Sequence, residues 1–279
     1  MKHKIAILSD IHGNETALEA VIQDSKRENA TEYWLLGDFV LPGSGASRML
    51  TLLHDLSATV IVRGNWDDCF LESISGEIDS DNPEDVYIAR LSQYLDENLS
   101  AVEIDFLRNL PLYEIREVEG LKFGISHNLP DKNWGGALIP ASEQENFDQL
   151  FIEDDCDVAV YGHVHHQTLR YDSKERLIIN PGTVGQPFSW WDKFRRDVRA
   201  QYAMLSVDAQ GISGVDFRKV AYDVDVELQR AKEAGLPYID LYQEQLEDCV
   251  AHTHDTELLA KINQQNHYAE DVKNYFNLD

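Results

Sequence analysis

The sequence has few cysteines, few basic residues and no long apolar run. Its 279 residues include three cysteines, Cys69, Cys156 and Cys249, widely separated and with no CxxC pair. That pattern argues against a disulfide framework or a thiolate zinc site and reads as reduced, structural thiols. Cys69 stands two residues after Asp67, yet a structural thiol is the better reading there than a nucleophile. No apolar stretch approaches the ~20 residues of a membrane helix. The opening Met1-Lys2-His3-Lys4 runs straight into a strand-like segment, without the apolar region of a signal peptide. A cytoplasmic location and no membrane partner are therefore expected. Positive charge is also scarce: 24 Lys and Arg against 50 Asp and Glu, a formal net charge of −26. Such a chain repels the backbone of long nucleic acids, so no polymeric nucleic acid partner is expected. A small phosphorylated substrate is still admissible where metal cations supply a local positive field.

What is present is an ordinary globular composition, 43% apolar and 27% charged, long enough for one large domain or a domain with an appendage. Residues 5–8 predict a buried strand, 14–28 a helix with Ala17, Leu18, Val21 and Ile22 at helical spacing, 33–36 a strand, 47–55 a helix and 58–62 a strand. This β-α-β-α-β opening favours a sheet with helices packed on its face. Residues 72–110 are acidic, then helical, and read as an insertion at the edge of a site. From Leu112 the pattern becomes strand-rich (113–118, 121–126, 158–161, 168–171, 177–179, 202–207 and 215–220), with one helix at 142–151. A second sheet stacked on the first is expected. The predicted division is 1–224 for the main domain and 225–279 for a helical extension packed on it, whose removal should change substrate preference more than metal content. There is no internal repeat, and the sequence leaves the oligomeric state open.

Five polar clusters follow the strand-like segments: Asp10-Ile11-His12-Gly13-Asn14, Gly37-Asp38, Gly64-Asn65-Trp66-Asp67, Ser126-His127 and Gly162-His163-Val164-His165. Each should lie at the C-terminal end of a strand, where open α/β sheets place their chemistry. Divalent cations that activate water prefer oxygen and imidazole ligands, and a two-metal site needs a ligand shared by both ions. Asp10 and His12, like His163 and His165, alternate along extended chain and can turn toward one ion. Asp38, in a Gly-Asp turn, suits a bridging carboxylate, Asn65 offers a carbonyl oxygen, and His127 completes a second shell. Any one of these residues alone reads as a cap; five clusters in series do not. His54, His252, His254 and His267 belong to the ordinary class; His252 and His254 alternate, but in an expected helical stretch, where i and i+2 do not share a face.

The ordered set Asp-x-His, Gly-Asp, Gly-Asn-x-Asp, strand-end His and Gly-His-x-His, over about residues 5–187, resembles the calcineurin-like metallophosphoesterase superfamily. The run Asn180-Pro181-Gly182-Thr183-Val184-Gly185-Gln186-Pro187 further resembles the Asn-Pro-Gly-Ser signature of its small bacterial and archaeal phosphodiesterases. The nearest likeness is to a bacterial subgroup with extra helices, described as phosphodiesterases and asymmetrical diadenosine tetraphosphate hydrolases. The resemblance implies a four-layer α/β/β/α sandwich of two mostly mixed sheets with added helices, and two divalent metal ions. Mn2+ or Fe2+ is favoured, with Zn2+ and Co2+ admissible. It further implies Asp10, His12, Asp38 and His165 on one ion, and Asp38, Asn65, His127 and His163 on the other. The family often places a general-acid histidine after the asparagine; this sequence has Trp66 there. Asp67 and His166 are the candidates to supply the missing proton or to orient a ligand.

The expected activity is hydrolysis of a phosphodiester or a dinucleoside polyphosphate, with Asp38, Asn65, Asp67 and His127 in the catalytic set. Asn65, Arg63, Trp66 and Lys132 are the candidate substrate contacts, the substrate being a small phosphate ester of nucleotide type. Arg63 suits a structural ion pair equally well, Lys132 and Asn133 suit a solvated loop, and the Trp66 indole suits packing as well as stacking. The competing readings are a protein serine/threonine phosphatase and a non-catalytic metal-binding scaffold.

Overall fold

In the computed structural model, which describes residues 2–152 and 155–278, the opening third runs β1 (His3–Leu8), α1 (Glu15–Arg27), β2 (Glu32–Leu35), α2 (Ser47–Asp55) and β3 (Val60–Ile61). Helices α3 (Asn65–Ile74), α4 (Pro83–Asp96) and α5 (Ala101–Arg108) follow. The strand-rich part contains β4 (Tyr113–Val118), β5 (Leu121–Ser126), a short helix α6 (Gln144–Asp148), β6 (Val158–Val160), β7 (Thr168–Tyr171), β8 (Leu177–Asn180), β9 (Ala200–Asp208) and β10 (Gly211–Val220). The chain closes with α7 (Val224–Glu233), α8 (Ile239–Asp248), α9 (Thr256–Asn266) and α10 (Tyr268–Phe276).

Two five-stranded mixed sheets result, in the orders β10-β9-β1-β2-β3 and β4-β5-β6-β8-β7. β1, β2 and β3 run parallel, while β9 is antiparallel to β1. In the second sheet β5, β6 and β8 are parallel and the outer strands antiparallel. Because successive strand residues point to opposite faces, β1 is divided cleanly. Ile5 and Ile7 join Trp34, Phe123, Val160 and Leu205 between the sheets. Ala6 and Leu8 face the other way, into a core shared with Leu18, Leu53 and Tyr242 from the helices. Beyond the second sheet, Tyr161 and Ile178 pack on Phe147 of α6. The expected α/β/β/α layering is what forms. Among the described residues no helix is long and apolar enough to cross a membrane.

Two expectations change. Helix α3 begins at Asn65, so the helical excursion starts inside a ligand cluster rather than at residue 72. The C-terminal helices are part of the core: Leu228, Tyr238, Leu241, Leu246 and Leu259 are buried in the same cluster as Leu8 and Leu18. Val272 packs on Val86 and Ala89 of α4, Tyr238 lies edge-on to Tyr87 at 4.7 Å, and buried Glu227 accepts hydrogen bonds from the Thr16 amide (3.0 Å) and hydroxyl (2.7 Å) at the start of α1. An extension so embedded is not a removable specificity element, because its loss would expose the outer face of the first sheet.

Candidate metal centre

The turns after β1 and β2 run side by side. The amides of Asp10, His12 and Gly13 donate to the carbonyls of Gly37 (3.1 Å), Asp38 (2.9 Å) and Phe39 (2.9 Å). The segment after β8 closes on the same turn, since Thr183 donates its hydroxyl to Asp10 O (2.8 Å) and the Val184 and Gly185 amides donate to Ser9 O and Asp10 O. Asn180 donates to Gly162 O (2.7 Å), tying in the turn that carries His163 and His165. The Asn-Pro-Gly-Thr segment therefore supports the site and does not line it. Gly64 is required by close approach: a Cβ there would sit inside the Asp38 carboxylate and backbone.

Five of the candidate ligands occupy the left-handed region: Asp10 (φ 56°), His12 (53°), Asp38 (51°), His163 (66°) and His165 (55°). For a residue with a Cβ this costs about 1–2 kcal/mol each, and such strain persists where surrounding structure enforces it, characteristically at functional sites.

The side chains converge in two groups, Asp10 with His12 and His165, and Asp38 with His127 and His163. Asp38 Oδ2 lies 3.6 Å from His12 Nε2 and 3.3 Å from His127 Nε2, between the groups. Asn65 Oδ1 is 3.1 Å from His127 Nε2. The imidazole tautomers follow from their outer partners. Nδ1 of His12, His127 and His165 lies at 2.7, 2.6 and 2.7 Å from the carbonyls of Leu41, Leu36 and Gln186. A carbonyl accepts only, so each Nδ1 carries the proton and each neutral ring presents a lone pair at Nε2. His163 is reversed: its Nε2 faces Gly135 O at 3.1 Å, leaving Nδ1 as the donor nitrogen.

This arrangement fits divalent cations. Nε2 of His12 and of His165 face each other at 3.1 Å, a contact that needs a proton or a cation between the two nitrogens. Buried Asp10 Oδ1 has no hydrogen-bond partner; it lies 3.1 Å from His165 Nε2 and 3.9 Å from the Nε2 atoms of His12 and His127. The oxygen and imidazole donor set suits first-row divalent metals.

The local electrostatics are strongly coupled. Burial opposes charge on His127, but Asp38 and then Asp10 carry it up to about 10. Asp10 likewise raises His165 against burial. Burial lowers His12 to about 4, and burial with the charge of His127 lowers His163 to about 4. Burial works against both carboxylates, yet the imidazoles hold Asp10 and Asp38 below their ordinary value. An imidazole must release its ligating-side proton before it binds a metal.

Asp67 is fully buried and turned toward backbone. Its oxygens accept from the amides of Asp38 (3.0 Å), Phe39 (3.0 Å), Val40 (3.4 Å) and Gly64 (2.9 Å). Burial and the Asp38 charge push its carboxyl up to about 7, against the amide bonds that favour the anion. Asp67 thus anchors the backbone that carries Asp38. Trp66 donates its amide to Asp38 Oδ1 (2.8 Å), and its half-buried indole meets the His12 ring edge-on at 5.9 Å. Arg63 pairs with Asp68 at 2.6 Å and donates to Arg108 O at 2.7 Å, the structural ion pair that the sequence admitted beside a substrate contact. Lys132 lies over the Trp134 ring at 3.5 Å, and Asn133 is held by Asp68 at 2.6 Å. His166 directs Nδ1 to Val164 O (2.6 Å). His252 and His254 lie in the loop between α8 and α9, not in the expected helix, and pair with Glu244 and Glu84, and Cys69 has its thiol raised to about 12 by burial, which suits no nucleophile.

Two stacked mixed sheets carrying paired oxygen/imidazole clusters at their strand ends define a metal-dependent phosphoester hydrolase architecture. Residues 3–210 match the calcineurin-like phosphoesterase superfamily domain, and the chain belongs to that family. Uncharacterized protein MJ0912 of Methanocaldococcus jannaschii is 29% identical over 251 residues, covering 85% of this chain and 95% of its own. The crystal structure of a metallophosphoesterase from Sphaerobacter thermophilus is 29% identical, with a TM-score of 0.67 over 88% of this chain and 100% of that one. Hypothetical protein PH1004 from Pyrococcus horikoshii shares the fold, with a TM-score of 0.71 at 20% identity over 89% of this chain and 99% of that one.

Proposed function

We propose that this phosphoester hydrolase acts on phosphodiesters or dinucleoside polyphosphates, with Asp38 shared by two divalent cations, Mn2+ or Fe2+ being favoured. The observation that carries this reading is the convergence of ligating atoms from both clusters on the Asp38 carboxylate. Two cations, when bound, supply a water nucleophile at neutral pH and offset the charge developing on the phosphoryl oxygens. The residues supply position. Asp10, His12 and His165 would hold one ion, and His127, Asn65 and His163 through Nδ1 would hold the other, each ring fixed by its carbonyl. Asp67 holds Asp38 by gathering four amides around it, and the Trp66 amide in the first turn of α3 donates to Asp38 Oδ1 and favours its anion. An indole at Trp66 donates no catalytic proton, so a leaving group already stable as an anion is favoured, as in aryl esters and nucleoside polyphosphates.

A panel with added Mn2+ tests this: bis-p-nitrophenyl phosphate, a dinucleoside tetraphosphate, alkyl monoesters and a phosphopeptide. Turnover should be highest on the first two. Preference for the phosphopeptide would point to a protein phosphatase, and no turnover with both metals bound would point to a scaffold.

A further inference from the structure

Residues 188–199 read Phe-Ser-Trp-Trp-Asp-Lys-Phe-Arg-Arg-Asp-Val-Arg, which places four of the chain's 24 basic residues within seven positions. The segment walls a cavity of about 940 Å³ that also includes His165 and His166. Phe188 is edge-on to both of those rings, at 5.8 and 5.1 Å, and Trp190 is edge-on to Phe188 at 5.9 Å. An aromatic path thus leads from a metal-ligating histidine outward. Trp190 is 84% exposed, Trp191 63% and Phe194 67%, an unusual concentration of apolar rings in water. The cations divide into two groups. Arg199 and Lys219 share Asp197, at 2.6 and 2.7 Å, and Arg195 pairs with Asp192 at 3.4 Å. Lys193 and Arg196 line the same cavity and make no ion pair among the described residues.

We propose that this segment is the recognition subsite for the nucleoside portion of the substrate. The base stacks on the Trp190–Trp191 pair, and Lys193 and Arg196 receive phosphate oxygens beyond the scissile one. The inference rests on the phosphoester reading above and names its substrate class. Cavity volume agrees: small-molecule sites run to about 300–1,000 Å³ and combine aromatic walls with a few polar groups. Every base has a π-face, so stacking accepts nucleotides as a class. Exposed tryptophan beside lysine and arginine also suits a membrane surface. The observations favour the small ligand, because the segment opens onto the metal centre and a chain of net charge −26 is repelled by an anionic leaflet.

The test compares two probes of the Mn2+-loaded protein by calorimetry: α,β-methylene-ADP and methylenediphosphonate, which shares the bridged phosphonate but lacks the nucleoside. The nucleoside-bearing probe should bind about 10-fold more tightly. Trp190→Ala with Trp191→Ala should abolish that preference while leaving methylenediphosphonate affinity and metal content unchanged. Equal affinities in the unaltered protein would overturn the subsite without any variant, as would parallel loss of both probes in the variant. Vesicles of phosphatidylcholine and phosphatidylserine form a third arm: a blue shift of tryptophan emission with vesicles, with no nucleoside preference, would assign the segment to membranes and overturn the proposal. Turnover of bis-p-nitrophenyl phosphate is scored separately. Turnover without nucleoside preference sinks the subsite and leaves the reaction standing; nucleoside preference without turnover does the reverse.

Discussion

The strand-end turns and the 188–199 segment meet at His165 but are built in opposite ways. In the turns every candidate ligand histidine is buried or nearly so, its outer nitrogen sits on a backbone carbonyl, and the backbone is held in strained conformations. The segment instead leaves three large aromatic side chains mostly exposed. The difference follows from the task. Phosphoryl chemistry depends on donors held within fractions of an ångström, which requires a rigid, over-determined frame. Recognition of a planar base needs only a surface of the right polarity, which a surface segment provides.

The largest effect is expected from breaking the shared carboxylate. Asp38→Asn removes a charge that both clusters face, and turnover should fall by at least about 1,000-fold. Metal analysis of the purified variant should show fewer than the full complement of ions, while circular dichroism stays native. Full metal content with normal turnover would end the dinuclear assignment.

A smaller effect should come from the residue that positions the carboxylate. Asp67→Asn turns an amide NH2 group toward backbone amides that need an acceptor, so metal affinity should drop by about 10–100-fold. A metal titration followed by activity reads this directly. Unchanged affinity, together with a shifted pH profile, would instead restore Asp67 to the catalytic set.

Trp66→His sharpens the division between chemistry and recognition. The new imidazole occupies the position from which a proton reaches the leaving group, and turnover of alkyl esters should rise about 10-fold or more, out of a general-acid contribution of ~10²–10⁴. The aryl-to-alkyl rate ratio should therefore narrow. An unchanged ratio would mean that another group already protonates the leaving oxygen.

The least effect on the metal centre should come from replacing residues 189–198 with a glycine-serine linker. Metal content should match the unaltered protein and the melting temperature should move little, since the segment's large side chains are exposed. Loss of metal on this change would show that the segment braces His165 and that the two regions are not independent.

The turns that carry the candidate ligands were legible in the sequence because their signals are local. A short apolar run followed by Asp-x-His or Gly-His-x-His specifies strand, turn and donor type within a few residues. The unbroken apolar run from Ile5 to Leu8 likewise announced a buried strand. Trp190 and Trp191 with their neighbouring cations carried an equally local signal, one that a search confined to metal donors passes over.

Other features had no local signal. The groups that orient the imidazoles are the backbone carbonyls of Leu36, Leu41, Gly135 and Gln186, which any residue type would offer; only the path of the chain brings them to the rings. The same holds for Arg63, whose use depends on Asp68 and Arg108 arriving beside it. Whether 225–279 was an appendage or part of the core depended on Glu227 reaching Thr16 and Tyr238 reaching Tyr87, contacts between residues far apart in the chain. The sequence by itself determined which atoms were offered for chemistry and the strand ends that offer them, because donor type and strand pattern are short-range properties. The tertiary structure alone decided which nitrogen of each histidine faces inward, which carboxylate lies between the two clusters and which charges are already paired, because those depend on neighbours that only the packing of two sheets brings together.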